Sequence, residues 1–488
     1  MYLGIDLGTS EVKVLLMDAD QRIAASAHAP LDVRRPQAQW SEQDPLAWWQ
    51  ATLVCIGAIA HSHPRELAAL RGIGLSGQMH GLVLLDAAGA VLRPAILWND
   101  TRASAECEEL ERSVPQLRDI TGNLAMPGFS APKLLWVARH EPDLFARTAM
   151  VLLPKDYLRY RLTGEFISDM SDASGTLWLD VARRDWSDAM LAACSITRAH
   201  VPGLVEGSRP GGTLRRELAR EWGIDEPVVV AGGAGDNAAS AVGMGIVAPG
   251  DSFISLGTSG VLFAASDAYR PNPAQGLHTF CHALPGQWHQ MGVMLSAASC
   301  LRWAACVTGA GDEAALLREV EQAGDAARLD APLFLPYLSG ERTPHNDPRA
   351  SGAWFGLRHE TSRALLGYSV LEGVAFGILD CYLALQAAGG AMTSAALVGG
   401  GSQSLYWARL LASALDVPLT IHSSAHVGAA FGAARLALLA AHPGLRVEDV
   451  CVAPPVLHRV APDAAWRAAL LPRHARWRAL YGQLKELF

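Results

Sequence analysis

The same four residues, Leu-Gly-Thr-Ser, occur at 7–10 and again at 256–259 of a 488-residue chain, half its length apart. Each copy stands between β-rich runs, 2–6 and 12–17 around the first, 251–255 and 261–264 around the second. Val12 and Val261 keep the same offset, so the repeat extends beyond the tetrapeptide. This order predicts a tight hairpin in which glycine lets backbone N–H groups converge and the hydroxyls add donors, a turn suited to cradling an anion. Two such turns on similar half-chains predict two lobes gripping one polyphosphate from both sides.

A chain of 488 residues and 51.9 kDa exceeds what one core usually supports. The half-chain repeat places the expected boundary between domains 1–245 and 246–488. Half the residues are hydrophobic and 18% are charged, which suits a large, well-buried α/β enzyme. A net charge of −8 argues against non-specific nucleic-acid binding. Arg473, Arg476 and Arg478 do cluster, but they alternate with Trp477, Leu480 and Tyr481 at the spacing of an amphipathic terminal helix. Eight scattered cysteines without a CxxC pair read as reduced, mostly buried thiols of a cytoplasmic protein. The N-terminus opens directly into a strand, which leaves no room for a signal peptide. The apolar stretch 427–441 is interrupted by Arg435 and too short for a bilayer, so it is expected as a buried helix with no membrane partner.

Strands are predicted at 2–6, 10–17, 22–28, 72–76, 227–231, 252–256, 261–265 and 395–398, and a hairpin joins 83–85 to 91–97. Helices are predicted at 45–59, 102–113, 131–140, 154–163 (stopped by Gly164) and 361–387.

Asp6 closes the first strand just before the first turn, where a carboxylate would sit beside phosphates and hold Mg²⁺; a purely structural role fits equally. The second copy has Ser255 at that position, so only one carboxylate is kept. The chain has four lysines, Lys13, Lys133, Lys155 and Lys485, and no Gly-Lys-Ser/Thr, so phosphate binding rests on backbone turns rather than a P-loop. Asp236 follows an apolar strand and the bend GGAG (232–235), a position for a general base or a helix N-cap. Reading 233–238 instead as a GxGxxA dinucleotide fingerprint leaves the duplicated hairpins unexplained. Met79 and His80, in QMHG (78–81), suit a polyol-binding strand end, although a lone histidine is more often structural. Gly399, Gly400, Gly401 and Ser402, between strand and helix, allow a flat base to approach closely.

Together these residues resemble the FGGY family of carbohydrate kinases over essentially the full length. The likeness runs through GIDLGTS (4–10), SGQMHG (76–81), MPGFSAPKLLW (126–136), SDMSDASGTLWLDV (168–181), GDNAASAVG (235–243), SLGTSGV (255–261) and LPYLSGERTPHND (335–347). The resemblance implies two ribonuclease-H-like lobes, of the actin and sugar-kinase type, around a central cleft. It implies ATP-dependent phosphorylation of D-xylulose at O5, with Mg²⁺, and a homodimer is one arrangement open to such a chain. ATP phosphates are expected on Gly8, Thr9, Ser10, Gly257, Thr258 and Ser259, and adenosine near Gly399, Gly400, Gly401 and Ser404. Asp236 matches the family's catalytic base and Asp6 its metal-side acid; Met79, His80 and Asn237 match sugar contacts. Two departures are Glu11 beside the first turn and Ala234, which lengthens the glycine bend. Phosphorylation of another ketose or polyol remains open, as does an actin- or Hsp70-like nucleotide switch.

Overall fold

The computed structural model describes every residue except 325–328 and 424–427. In the first half Tyr2–Leu7, Glu11–Met17 and Ile23–Pro30 form an antiparallel meander. Gly72–Gly77 lies parallel to Tyr2–Leu7 on its other side, Val229–Ala231 continues in parallel, and Pro210–Thr213 closes the edge antiparallel. Leu3, Ile5 and Leu7 are completely buried, as expected of a strand on the apolar side of a central position. The second half repeats the plan. Asp251–Leu256, Gly260–Ser266 and Trp288–Met294 form the meander, and Ser394–Val398 and Leu419–His422 extend it in parallel. His278–Cys281 and Val456–Val460 pair antiparallel at the two edges. With the short strand Ala234–Gly235, which also pairs with Gly72–Gly77, each sheet has seven strands among the described residues, so the repeat in sequence is a repeat in topology.

The helices follow their local signals. Pro45–Ser62 is capped by Asp44, whose carboxylate accepts the Leu46 N–H at 2.9 Å. Pro154–Thr163 ends at Gly164 in the left-handed conformation. Arg363–Ala387, capped by Ser362, is long and apolar enough to cross a membrane by length and composition, yet it lies largely buried in the second core. A helix apolar all round is stable in such a core.

Ala429–Ala441 is helical and buried; Val427, at the start of the expected stretch, lies outside the described residues. This helix crosses over and packs on the first sheet, against Asp236–Met244, although it follows residue 245 by almost two hundred positions. The approach is so close that a Cβ on Gly74 would lie 1.7 Å from the Ala433 carbonyl oxygen. Small residues make the contact. Arg435 does not break it, because its guanidinium donates to the Val242 and Gly243 carbonyls at 2.9 and 3.1 Å and closes the end of the neighbouring helix.

The arms 83–85 and 91–97 meet antiparallel around 86–90 as expected, through the bridges Leu85–Val91 and Leu82–Ile96, with the Leu92 N–H donating to the Leu84 carbonyl and the Leu82 N–H to the Ile96 carbonyl, both at 2.9 Å. Pro94 supplies no N–H to a ladder between the arms. Each arm also pairs elsewhere, Val83–Leu85 with Met150–Leu152 and Ala95–Ile96 with Glu42–Gln43. The expected terminal helix is Ala464–Leu484, with Trp466, Leu470, Trp477 and Leu480 on its buried side. Arg473 is buried and ion-paired to Glu372 at 2.7 Å, and His474 contacts Asp380 at 2.8 Å. All eight cysteines are unpaired, and all but Cys306 are buried.

Candidate active site between the two sheets

Three parallel neighbours of the first sheet end side by side. Asp6 lies opposite Ser76, and Ser76 opposite Ala234. The first turn, the segment 78–80 and Asp236 therefore leave adjacent strands at their carboxyl ends, where α/β sheets bind ligands. The bend 232–235 shifts the register of its strand against the neighbour. Val230 lies opposite Ile73 but Ala234 opposite Ser76, a register change of one residue. Arg159 secures the bend by donating to the Ala231 carbonyl at 2.6 Å and to that of Gly232.

Asp236 opens the helix Asp236–Met244, and its Oδ1 accepts the Asn237 N–H at 2.8 Å and the Asn237 side-chain amide at 3.0 Å. Oδ2 has no partner among the described residues. Burial pushes its pKa up to about 7, the Asp6 charge adds to the shift, and the Asn237 bonds oppose it. A carboxyl that ionises near neutrality suits a general base. Asp6 is pushed up to about 6, mainly by burial, and one of its oxygens is buried without a partner among the described residues. Lys13 is the exposed strand residue opposite Asp6 and opposes that shift. Glu11 points to solvent at the start of its strand.

Asp236 and Asn237 line a cavity of about 240 Å³ together with Met79, His80, Trp98, Phe129, Ser259, His278 and Arg342. Its walls come from both halves. His80 adopts φ 70°, an unusual conformation for a residue with a side chain, and its carbonyl accepts from Ser130 Oγ and Lys133 Nζ, both at 3.0 Å. Its Nδ1 faces the Gly175 carbonyl at 2.8 Å; a carbonyl only accepts, so Nδ1 carries the proton and Nε2 is left as an acceptor. Burial lowers its pKa to about 3, which keeps the ring neutral.

A second cavity, about 570 Å³, is lined by Gly257, Thr258, Arg302, Gly400, Gly401, Gln403, Ser404 and Trp407. It falls within the size range of sites for cofactor-sized ligands, whereas the first is smaller. Gly399 borders a neighbouring cavity with Gly400; its φ of 87° and its closeness to the Leu256 carbonyl exclude a side chain there. Ser404 caps the next helix, accepting the Trp407 N–H at 3.2 Å. The second turn is the partition: Gly257 and Thr258 face the larger cavity, Ser259 the smaller.

The turns differ from the expectation in one respect. The Gly8 N–H donates to Glu11 and the Gly257 N–H to Ser259, so these two amides close the turns rather than face a ligand. Among the described residues the N–H groups of Thr9, Ser10, Thr258 and Ser259 have no acceptor. The Thr9 hydroxyl is also engaged, donating to Gln78 Oε1 at 3.2 Å and accepting from Trp98 Nε1 at 3.0 Å. Gly8, Thr9, Ser10 and Asp6 line neither cavity directly; Trp98 connects them to the smaller one. Sequence reasoning gave no role to Trp98, Phe129, His278 or Arg342, because each belongs to a different segment, although Phe129 and Arg342 fall within the quoted stretches 126–136 and 335–347.

The chain matches the N-terminal domain model of the FGGY family of carbohydrate kinases over residues 1–243 and the C-terminal domain model over 252–441. It is 52% identical to a xylulose kinase of Escherichia coli (strain K12) over 487 residues and 49% identical to one of Klebsiella pneumoniae over 489, covering 100% of both chains in each case. The crystal structure of a xyloylose kinase from Brucella ovis superposes with a TM-score of 0.97 at 54% identity, over 100% of both chains.

Proposed function

This chain belongs to the FGGY family of carbohydrate kinases, and from that premise we propose that it transfers the γ-phosphoryl group of ATP to O5 of D-xylulose, giving D-xylulose 5-phosphate and ADP. The observation that carries this reading is the shared wall. One turn, 257–259, separates a small cavity holding Asp236 from a larger one of cofactor size. We assign 1–245 to sugar binding and the base, and 246–488 to the nucleotide, with Ala429–Ala441 contributed back to the first sheet.

Asp236 Oδ2 takes the O5 proton as that oxygen attacks phosphorus. His80 Nε2 accepts from a sugar hydroxyl, while Met79 and Asn237 confine the chain of carbons. The unengaged amides of Thr9, Ser10, Thr258 and Ser259 donate to phosphoryl oxygens and stabilise the charge that develops there. Gly400, Gly401 and Ser404 border the space for adenosine. Among the described residues no three His, Cys, Asp or Glu side chains gather as a metal-holding group. A magnesium ion that arrives with the triphosphate needs only one or two protein carboxylates, and the unpartnered oxygen of Asp6 fits that need. Bound there, magnesium would neutralise phosphate charge.

ADP release measured with D-xylulose, D-ribulose, L-xylulose and glycerol tests the reading. D-xylulose should give the highest kcat/KM. Preference for another member of the panel replaces the substrate, and ATP turnover indifferent to every sugar supports a nucleotide switch.

A further inference from the structure

We propose that Arg342, carried by the second half, is a specificity-determining sugar-binding residue whose guanidinium donates to adjacent substrate oxygens at the end remote from the attacked hydroxyl. The inference rests on the reading that the smaller cavity takes the sugar.

Other enclosed arginines have strong acceptors: Arg102 pairs with Asp100 and Glu42, Arg435 with backbone carbonyls, and Arg473 with Glu372. Arg342 lines the cavity, and among the described residues its guanidinium has one contact, Nη1 to His278 Nε2 at 3.4 Å. The charge of the neighbouring Glu341 favours the guanidinium, but its carboxylate is not hydrogen-bonded to it. Glu341 Oε1 accepts the Leu295 and Arg342 backbone N–H groups at 3.0 and 2.7 Å, and burial pushes the carboxyl up to about 8. A desolvated guanidinium with donors left over, on a cavity wall, calls for a ligand that supplies oxygens.

Its position is set from across the cleft. Asn123, in the first half, donates through Nδ2 to the Thr121 and Thr279 carbonyls at 2.7 and 3.0 Å, so its Oδ1 is the acceptor. His278 Nδ1 donates to that oxygen at 2.8 Å, which leaves Nε2 to accept from Arg342. His278 stacks on Phe280 and meets Phe129 edge-on, and both of those rings also lie against His80, so the arginine stands at the His80 end of the cavity. Consistent with this, its charge lowers the basicity of both His80 and His278, whereas Asp236 responds chiefly to burial and Asp6. A planar fork of donors matches two oxygens on adjacent carbons, and a ketose presents a carbonyl beside a hydroxyl. Bound sugar would then touch Asp236 and His80 on one lobe and Arg342 on the other.

Steady-state kinetics of the full chain decide the matter, using whichever acceptor of the panel above best supports ADP release. Arg342→Gln should raise the sugar KM about 10- to 100-fold while the ATP KM changes less than about twofold. Asn123→Ala, which acts through His278, should raise the sugar KM by a smaller factor and add nothing to Arg342→Gln. A sugar KM unchanged in Arg342→Gln, or equal rises in both KM values, overturns the proposal. If Arg342→Gln does not fold, Arg342→Lys should still raise the sugar KM, because the fork is lost, and an unchanged value overturns the proposal. Loss of D-xylulose preference in the unmodified chain counts against the substrate assignment alone.

Discussion

The two Leu-Gly-Thr-Ser turns share a sequence and differ in almost everything that surrounds it. The first spans 8–11 between the paired residues Leu7 and Val12; the second is one residue tighter, with Leu256 paired to Gly260. Side chains pin the first, since Gln78 and Trp98 hold the Thr9 hydroxyl and Gln43 donates to the Thr9 carbonyl at 2.7 Å. The second is held by its carbonyls, which accept from the Ala297 and Ala298 N–H groups and from the Ser299 hydroxyl, and its own threonine and serine side chains stay exposed. The first stands next to an acid, Asp6; the second has Ser255 there and divides two cavities. Duplication has kept the threonine and serine amides open and let the side chains take separate duties: a support for a carboxylate on one lobe, an open partition on the other.

The largest expected effect lies just beyond either turn. Asp236→Ala should lower kcat by roughly 10²–10⁴-fold, and a folded variant with near-normal turnover would remove the base from the mechanism. Next comes Asp6→Ser, which gives the first turn the residue of the second. It should cost about 10²-fold in kcat, while Ser255→Ala should change it little, and equal losses would erase the asymmetry. The same variant sharpens the electrostatics. Asp236 is active as the carboxylate and its pKa is raised to about 7, so kcat/KM should climb with pH and level off above that value. Removing the Asp6 charge eases ionisation of Asp236, so the rising limb should move to lower pH; a limb that stays put means that the two groups do not interact. The smallest effect concerns stability. Thr9→Val removes the partner of Gln78 and Trp98 and should destabilise by about 1–3 kcal/mol, whereas Thr258→Val should stay within about 0.5 kcal/mol in denaturant melts.

Much of the site was legible because its members stand at strand ends beside glycine. Asp6, Met79, His80 and Asp236 follow short apolar runs, and period and punctuation place such residues on the carboxyl edge of a sheet. Arg342, His278 and Asn123 carry no such mark; they meet through a bond network that joins positions from 121 to 342. The engaged Thr9 hydroxyl was equally invisible, since Gln78 and Trp98 reach it from two other segments. The same limit applies to the hairpin at 83–97, whose arms meet as read but whose further partners, Met150–Leu152 and Glu42–Gln43, come from elsewhere.

What the sequence determined by itself is the plan: two lobes, each with a strand–turn–strand unit built on glycine, because strand period and turn chemistry are local properties of the backbone. Tertiary structure alone decided that Ala429–Ala441 lies on the opposite sheet, that one turn walls two cavities, and that Asp236 titrates near neutrality. Those outcomes depend on close contact and desolvation between segments far apart along the chain, and residue order encodes such contacts only through the whole folded core.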